Sequence, residues 1–174
     1  MDEKRIKKSE ENFRRYLNDG LIKKSDFQEV IYNTYMNNSA ESLKAADELF
    51  RNKTSSLWVV VSSYYSMFYI ASAYIYKKGY KAGHEIVHQI INEALIVLAR
   101  KDMENHFLEE YEEEKQKALS SCSSLLDEYE FEKSKRAQFQ YETTGEIKES
   151  KAKTSLERAK RFVAVIRQLI GNLN

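Results

Sequence analysis

The stretch from Thr54 to Tyr76 contains no charged residue, and Lys53, Lys77 and Lys78 close it at its two ends. As a helix, a run of that length can reach across a bilayer. It also carries Ser55, Ser56, Ser62, Ser63, Ser66 and Ser72, with Tyr64, Tyr65, Tyr69, Tyr74 and Tyr76. Hydroxyls in that number weaken membrane insertion relative to a leucine-rich segment. The expectation is therefore the central helix of a bundle, apolar on most faces because other helices surround it. No membrane partner is expected.

The rest of the chain must supply the surrounding helices. Proline is absent and only 5 glycines occur in 174 residues, so little interrupts helix formation. Residues 3–18 read as a charged helix with a thin stripe of Ile6, Phe13 and Leu17, ended by Asn18-Asp19-Gly20. Ser25 or Asp26 is placed to cap a second helix running to Asn52, with Phe27, Val30, Ile31, Tyr35, Leu43 and Ala46 inward. Thr54-Ser55-Ser56 opens the charge-free helix, which ends near Lys78-Gly79. A fourth helix starts around Gly83 and buries Ile86, Val87, Ile90, Ile91, Ala94 and Leu95. Asp102 is placed to cap a fifth, residues 143–150 read as a loop, and a last helix covers residues 151–173. No segment shows the period-two alternation of a strand. The fold class is all-α, an antiparallel up-and-down helical bundle. The expected organisation is an N-terminal helical extension over residues 1–24 and a bundle domain over residues 25–174.

The formal net charge is +1, so global charge points to neither nucleic acid nor membrane. Local charge is uneven. Residues 102–132 carry a net −9 and residues 133–167 a net +6. Two neighbouring helices whose outer faces pair with each other account for this. The sharper alternative is a basic face for a phosphate backbone. The single Cys122 excludes an internal disulfide and fits a reducing compartment. The start, MDEKRIKKSEENF, has no apolar segment, so no signal peptide is expected and the cytoplasm is the expected location.

GHEIVHQ, residues 83–89, contains H-E-x-x-H. On a helix His84 and His88 would share one face and could both reach a zinc ion, with Glu85 as a water-activating base. A zinc hydrolase also needs a third protein ligand, for which Glu104, Glu109 and Glu110 are the acidic candidates. No histidine follows at the metzincin spacing, and no strand is expected to hold an extended substrate. The pair His84 and His88 therefore remains a weak metal candidate, and no cofactor is expected.

SSYYSMFYIASAYIYKKGYKAGHEIVHQII, residues 62–91, resembles the HEPN domains of bacteria and archaea, which carry a YYAMF…A…LL…G…K-x-H pattern across two consecutive helices. The matching residues are Tyr64, Tyr65, Met67, Phe68, Ala71, Ala73, Gly79, Lys81 and His84. RAQFQYETTGEI and LERAKRFVAVIRQLI are similar to the family's ending, so the resemblance covers about residues 28–172. It implies a bundle that dimerises and a module that binds nucleotide or RNA, or a partner protein. That partner would be a nucleotidyltransferase in a two-component, toxin–antitoxin type of system. Many members are ribonucleases with an R-x4–6-H motif. Arg136 matches the arginine, but Tyr141 stands where the histidine would be. Tyrosine, with an ordinary pKa of about 10, is a poor acid or base near neutrality. The resemblance therefore implies binding by Arg136, Tyr141, Lys135 and His84 rather than cleavage. Cleavage would require a displaced histidine, His84 or His88, beside Arg136. Tyr64 and Phe68, four apart, are expected to pack between helices, while Tyr65, Tyr69 and Tyr76 lie near a stripe suited to a dimer seam.

Overall fold

The computed structural model describes residues 1–134 and 148–173, with side chains over 1–122 and 148–173. Its elements are α1 (Glu3–Asn18), β1 (Ile22–Lys24), α2 (Glu29–Arg51), α3 (Ser56–Lys77), β2 (Tyr80–Ala82), α4 (Val87–Ala99), α5 (Asn105–Ser134) and α6 (Glu149–Gly171). The all-α expectation holds, with one small addition in the two short strands.

Helix α3 is the charge-free run. The Ser55 hydroxyl accepts from the Trp58 amide and caps its start, and the backbone N–H groups of Lys78 and Gly79 close its end. Helices α2, α4, α5 and α6 all pack on it, so it is buried from Val59 to Tyr76 on nearly every face. Helix backbone satisfies two of its buried serines, while the Ser63 hydroxyl is buried without a partner among the described residues. Ser66 donates to the Ser63 carbonyl at 2.7 Å and Ser72 to the Phe68 carbonyl at 2.8 Å. Ser39 of α2 donates to the Ser66 carbonyl at 2.8 Å, which ties the two helices where both are narrow. Among the described residues, no helix is long and apolar enough to cross a membrane.

The main core runs through α1, α3, α4, α5 and α6, around Tyr16, Tyr64, Tyr74, Tyr111 and Phe162. Ala46, Val59, Val60, Ala152 and Leu156 make a second cluster where α2, α3 and α6 meet. Helix α1 packs against α4 and inserts Phe13 and Tyr16 into the main core. The strands pair antiparallel, with Ile22 opposite Ala82 and Lys24 opposite Tyr80. The Gly83 amide donates to the Leu21 carbonyl at 2.8 Å and the Ser25 amide to the Gly79 carbonyl at 2.9 Å, extending the pairing at both ends. This corrects the reading that the chain has no strand. Three residues per strand are too few to display an alternation.

Three helix starts also differ from expectation. Helix α2 begins at Glu29, and neither Ser25 nor Asp26 caps it through its side chain. The hydroxyl of Tyr76 does that work from α3. It accepts from the Gln28 amide at 2.9 Å and donates to the Asp26 carbonyl at 2.9 Å. Phe27 consequently lies in the entry loop, tilted against Tyr76 and half-exposed beneath the Lys77 ammonium. The inward stripe of α2 shifts to Tyr32, Tyr35, Met36, Ser39, Leu43 and Ala46, which leaves Val30 exposed rather than buried. Helix α5 begins at Asn105, past Asp102, which sits in the preceding turn. Helix α4 begins at Val87, four residues later than Gly83, because Ile86 adopts a left-handed backbone at φ 43° and its side chain is exposed.

Tyr76→Phe removes one hydroxyl and leaves the Gln28 amide and the Asp26 carbonyl without their partner. A loss of about 1–2 kcal/mol is expected, read as a lower urea midpoint at unchanged m-value.

Candidate functional site

The late start of α4 decides the geometry of the histidines. His84 and Glu85 lie in the turn between β2 and α4, exposed, while His88 lies in the first turn of the helix and is half-buried. The two histidines are therefore not one helical turn apart on a common face. The acidic third-ligand candidates are engaged elsewhere. Glu104 lies 3.3 Å from His106, Glu109 pairs with the Met1 ammonium, and Glu110 pairs with Arg158 and Arg161. Among the described residues, no three His, Cys, Asp or Glu are grouped to hold a metal ion.

His88 is instead held in an aromatic cage. Its Nδ1 lies 2.8 Å from the Tyr64 hydroxyl. Its ring centroid is 4.5 Å from that of Phe68, 5.6 Å from Tyr64 and 5.7 Å from Tyr65. Adjacent residues on α3 thus meet the same ring, one through its hydroxyl and one through an edge. Burial, and then the Lys115 charge, push the imidazole below its ordinary value. A neutral ring is consistent with the Tyr64 hydroxyl donating to Nδ1. Burial raises the Tyr64 phenol and also the fully buried Tyr111 phenol packed against it. Tyr64 also packs on Phe68 as its spacing implied. Tyr65 and Tyr69 reach the surface and line an open groove between α2 and α3 with Trp58, whereas Tyr76 is consumed inside the protomer.

A second polar assembly joins α1, α4 and α5. Arg5 donates to Glu93 Oε2 at 2.8 Å and Oε1 at 3.1 Å, to Glu112 Oε1 at 2.5 Å, and to the Ser9 hydroxyl at 2.5 Å. Asn92 donates to the same Glu112 oxygen at 3.0 Å. Burial opposes the Arg5 charge, but the hydrogen bonds to Glu93 and Glu112 more than offset it and raise the group further above its ordinary value. Burial would likewise raise Glu112, and the bonds from Arg5 and Asn92 outweigh it and hold the carboxyl low. Lys115 follows one turn along α5. Burial lowers it, and its carboxylate neighbours only partly restore it.

None of Arg5, Glu93, Glu112 and Lys115 emerged from the sequence as a site residue. The legible signal was Asn92-Glu93, two polar residues inside the apolar stripe Ile90, Ile91, Ala94, Leu95. A carboxylate only 5% exposed requires a buried cation.

Among the described residues, part of the charge asymmetry is taken up in pairs between α5 and α6. Arg158 of α6 contacts Glu113 at 2.6 Å and Glu114 at 2.9 Å, and Arg161 contacts Glu110 at 3.1 Å. Lys160 reaches back to Asp47 of α2 at 2.5 Å. Much of the basic face of α6 is thereby occupied. Lys135, Arg136 and Tyr141 lie outside the described residues, so of the proposed binding group only His84 has a described position.

Two outcomes follow from this geometry. Arg5→Met strands the Glu93 carboxylate and is expected to destabilise the fold by about 3 kcal/mol, measured by urea unfolding at neutral pH. For His88, the folded-state value lies below the unfolded one, so the unfolded chain binds the extra proton. The His88 contribution is complete above about pH 6.5 and drains away as the pH falls from there through the lower folded-state value. His88→Gln should flatten this phase of a Tm-versus-pH profile. The lower phase from Glu112, below its ordinary 4.5, should remain.

No curated protein and no solved structure shows a significant match to the chain. The family model described as the HEPN domain matches residues 32–169, from the first turns of α2 to the last turn of α6. That span is well over half of the chain and contains the whole of α3, the His88 cage and the α5–α6 ion pairs. The chain belongs to the HEPN domain family.

Proposed function

We propose that this chain is a nucleotide- or RNA-binding HEPN module that works as a homodimer in the cytoplasm and does not itself cut RNA. Its protein partner would be a nucleotidyltransferase, in a paired arrangement of the toxin–antitoxin kind. The observation that carries the reading is the family match over residues 32–169 combined with Tyr141 in place of the motif's histidine, five residues after Arg136. Arg136 supplies a guanidinium that can grip a phosphate in two places, Lys135 adds charge, and Tyr141 offers a ring on which a base can stack. His84, exposed beside β2, is free to join a ligand approaching that end of the bundle. Location and dimerisation rest on the family resemblance together with the single Cys122, and the α2–α3 groove beside Trp58 offers apolar surface for a second copy.

One observation favours a second reading, a ribonuclease with a displaced histidine. His88 is held neutral next to the cation of Lys115, and a neutral imidazole can act as a general base near pH 7. Its enclosure by three rings opposes that role, because a base must reach the proton it removes.

The two readings separate in one assay series with single-stranded RNA. Wild type is expected to bind in a salt-sensitive manner and to leave the RNA intact. Arg136→Ala should weaken binding and reduce the log K against log salt slope by about 0.7. Absence of salt-sensitive binding to RNA or nucleotides defeats the binding module. Cleavage by wild type that is lost in His88→Gln and in Arg136→Ala establishes the ribonuclease instead.

A further inference from the structure

A polar cleft of about 380 Å³ opens between α1, α4 and α5. Its floor is the Arg5–Glu93–Glu112 assembly, and both carboxylates are already committed. Each Glu93 oxygen accepts from Arg5, and Glu112 Oε1 accepts from Arg5 and Asn92. Two further cations line the cleft from different helices, Lys8 from α1 and Lys115 from α5. Among the described residues neither has a carboxylate within ion-pair distance, whereas the nearby Glu10 and Glu109 are taken up by Arg100 and the Met1 ammonium. Gln89 and Gln116 add side-chain amides at the rim. The three cations exceed the two carboxylates by one charge.

We propose that this cleft is a binding site for a small phosphate-bearing polar ligand, with Lys8 and Lys115 contacting the phosphate from different helices. Two separate ammonium groups suit a group with several charged oxygens better than a single carboxylate. Among the described residues, Leu119 is the one apolar lining residue and no aromatic ring lines the cleft, so they offer no surface for stacking a base. That separates the site from the RNA-binding role proposed for Arg136 and Tyr141. The volume suits a compact phosphomonoester and lies at the small end of ligand pockets, about 300–1,000 Å³. The partial burial of Lys115 strengthens its attraction for an anion, since fewer waters compete. The wall carrying Arg5 and Lys8 lies before residue 32, outside the family match, so the site is a feature of this chain's N-terminal helix. An occupant would bridge α1 to α5 and stabilise their docking.

Calorimetric titration of the full chain with glucose 6-phosphate, inorganic phosphate and glucose tests this. Saturable binding of at least one of the two phosphates and none of glucose is expected, with a ligand-dependent rise in Tm. Lys8→Gln and Lys115→Gln should each weaken that binding by about tenfold or more, with helical circular dichroism unchanged. Lys8 is exposed, so its variant reports on binding even if Lys115→Gln perturbs the fold. Arg136→Ala should bind the phosphates as wild type does. Failure of both phosphates to bind, equal binding of glucose, or unchanged affinity in the lysine variants overturns the proposal.

Discussion

A helix without charge up to its last residue can be stable in water only when other helices cover it on nearly all sides. Helix α3 sets that requirement, and most of the architecture answers it. Helices α2, α4, α5 and α6 surround it, and its narrow positions at Ser63, Ser66 and Ser72 let backbones come close. The same crowding gives the tyrosines their roles. A phenol at the end of a buried ring needs a partner. Tyr74 finds the Leu98 carbonyl at 3.0 Å, Tyr76 finds the entry to α2, and Tyr64 finds His88. Tyrosine on α3 thus fills volume and fastens neighbouring elements at once.

Polar chemistry is displaced to the periphery of that core. The one buried carboxylate of α4, Glu93, is neutralised by an arginine from α1. Among the described residues of α5, the one fully buried carboxylate, Glu114, is held by Lys117, Ser155 and Arg158. These assemblies sit at opposite sides of α5 and fasten it to different neighbours. The family match includes the second and only half of the first. The N-terminal segment therefore supplies the cation of an ion cluster whose carboxylates lie within the family match.

The helices were legible because their signals are long. The absence of proline, the charge-free run and the recurrence of Ala152, Leu156, Ala159, Val163 and Ile166 all extend over several turns. The Ser55 cap was legible because the capping group is the residue's own side chain. The start of α2 was not, since its cap comes from Tyr76, 48 residues away. The short strands escaped notice because β1 and β2 are meaningful only as a pair distant in sequence. The two-histidine spacing in GHEIVHQ suggested a shared face only if the helix had already begun, and the left-handed Ile86 delays it. The Arg5 cluster was hidden for a related reason: three charged residues on three helices carry no common motif.

The long reach of Arg5 has a consequence for the order in which the molecule can be assembled. Its partners Glu93 and Glu112 lie 88 and 107 residues further along the chain. During synthesis from the N-terminus, α1 must wait through the production of α2, α3 and α4 before its cation has anywhere to go. The strand β1 waits similarly for β2. A segment made before its partners is therefore among the last to settle. Its docking needs α4, so a chain halted before Glu93 carries a loose, highly charged segment rather than a folded one.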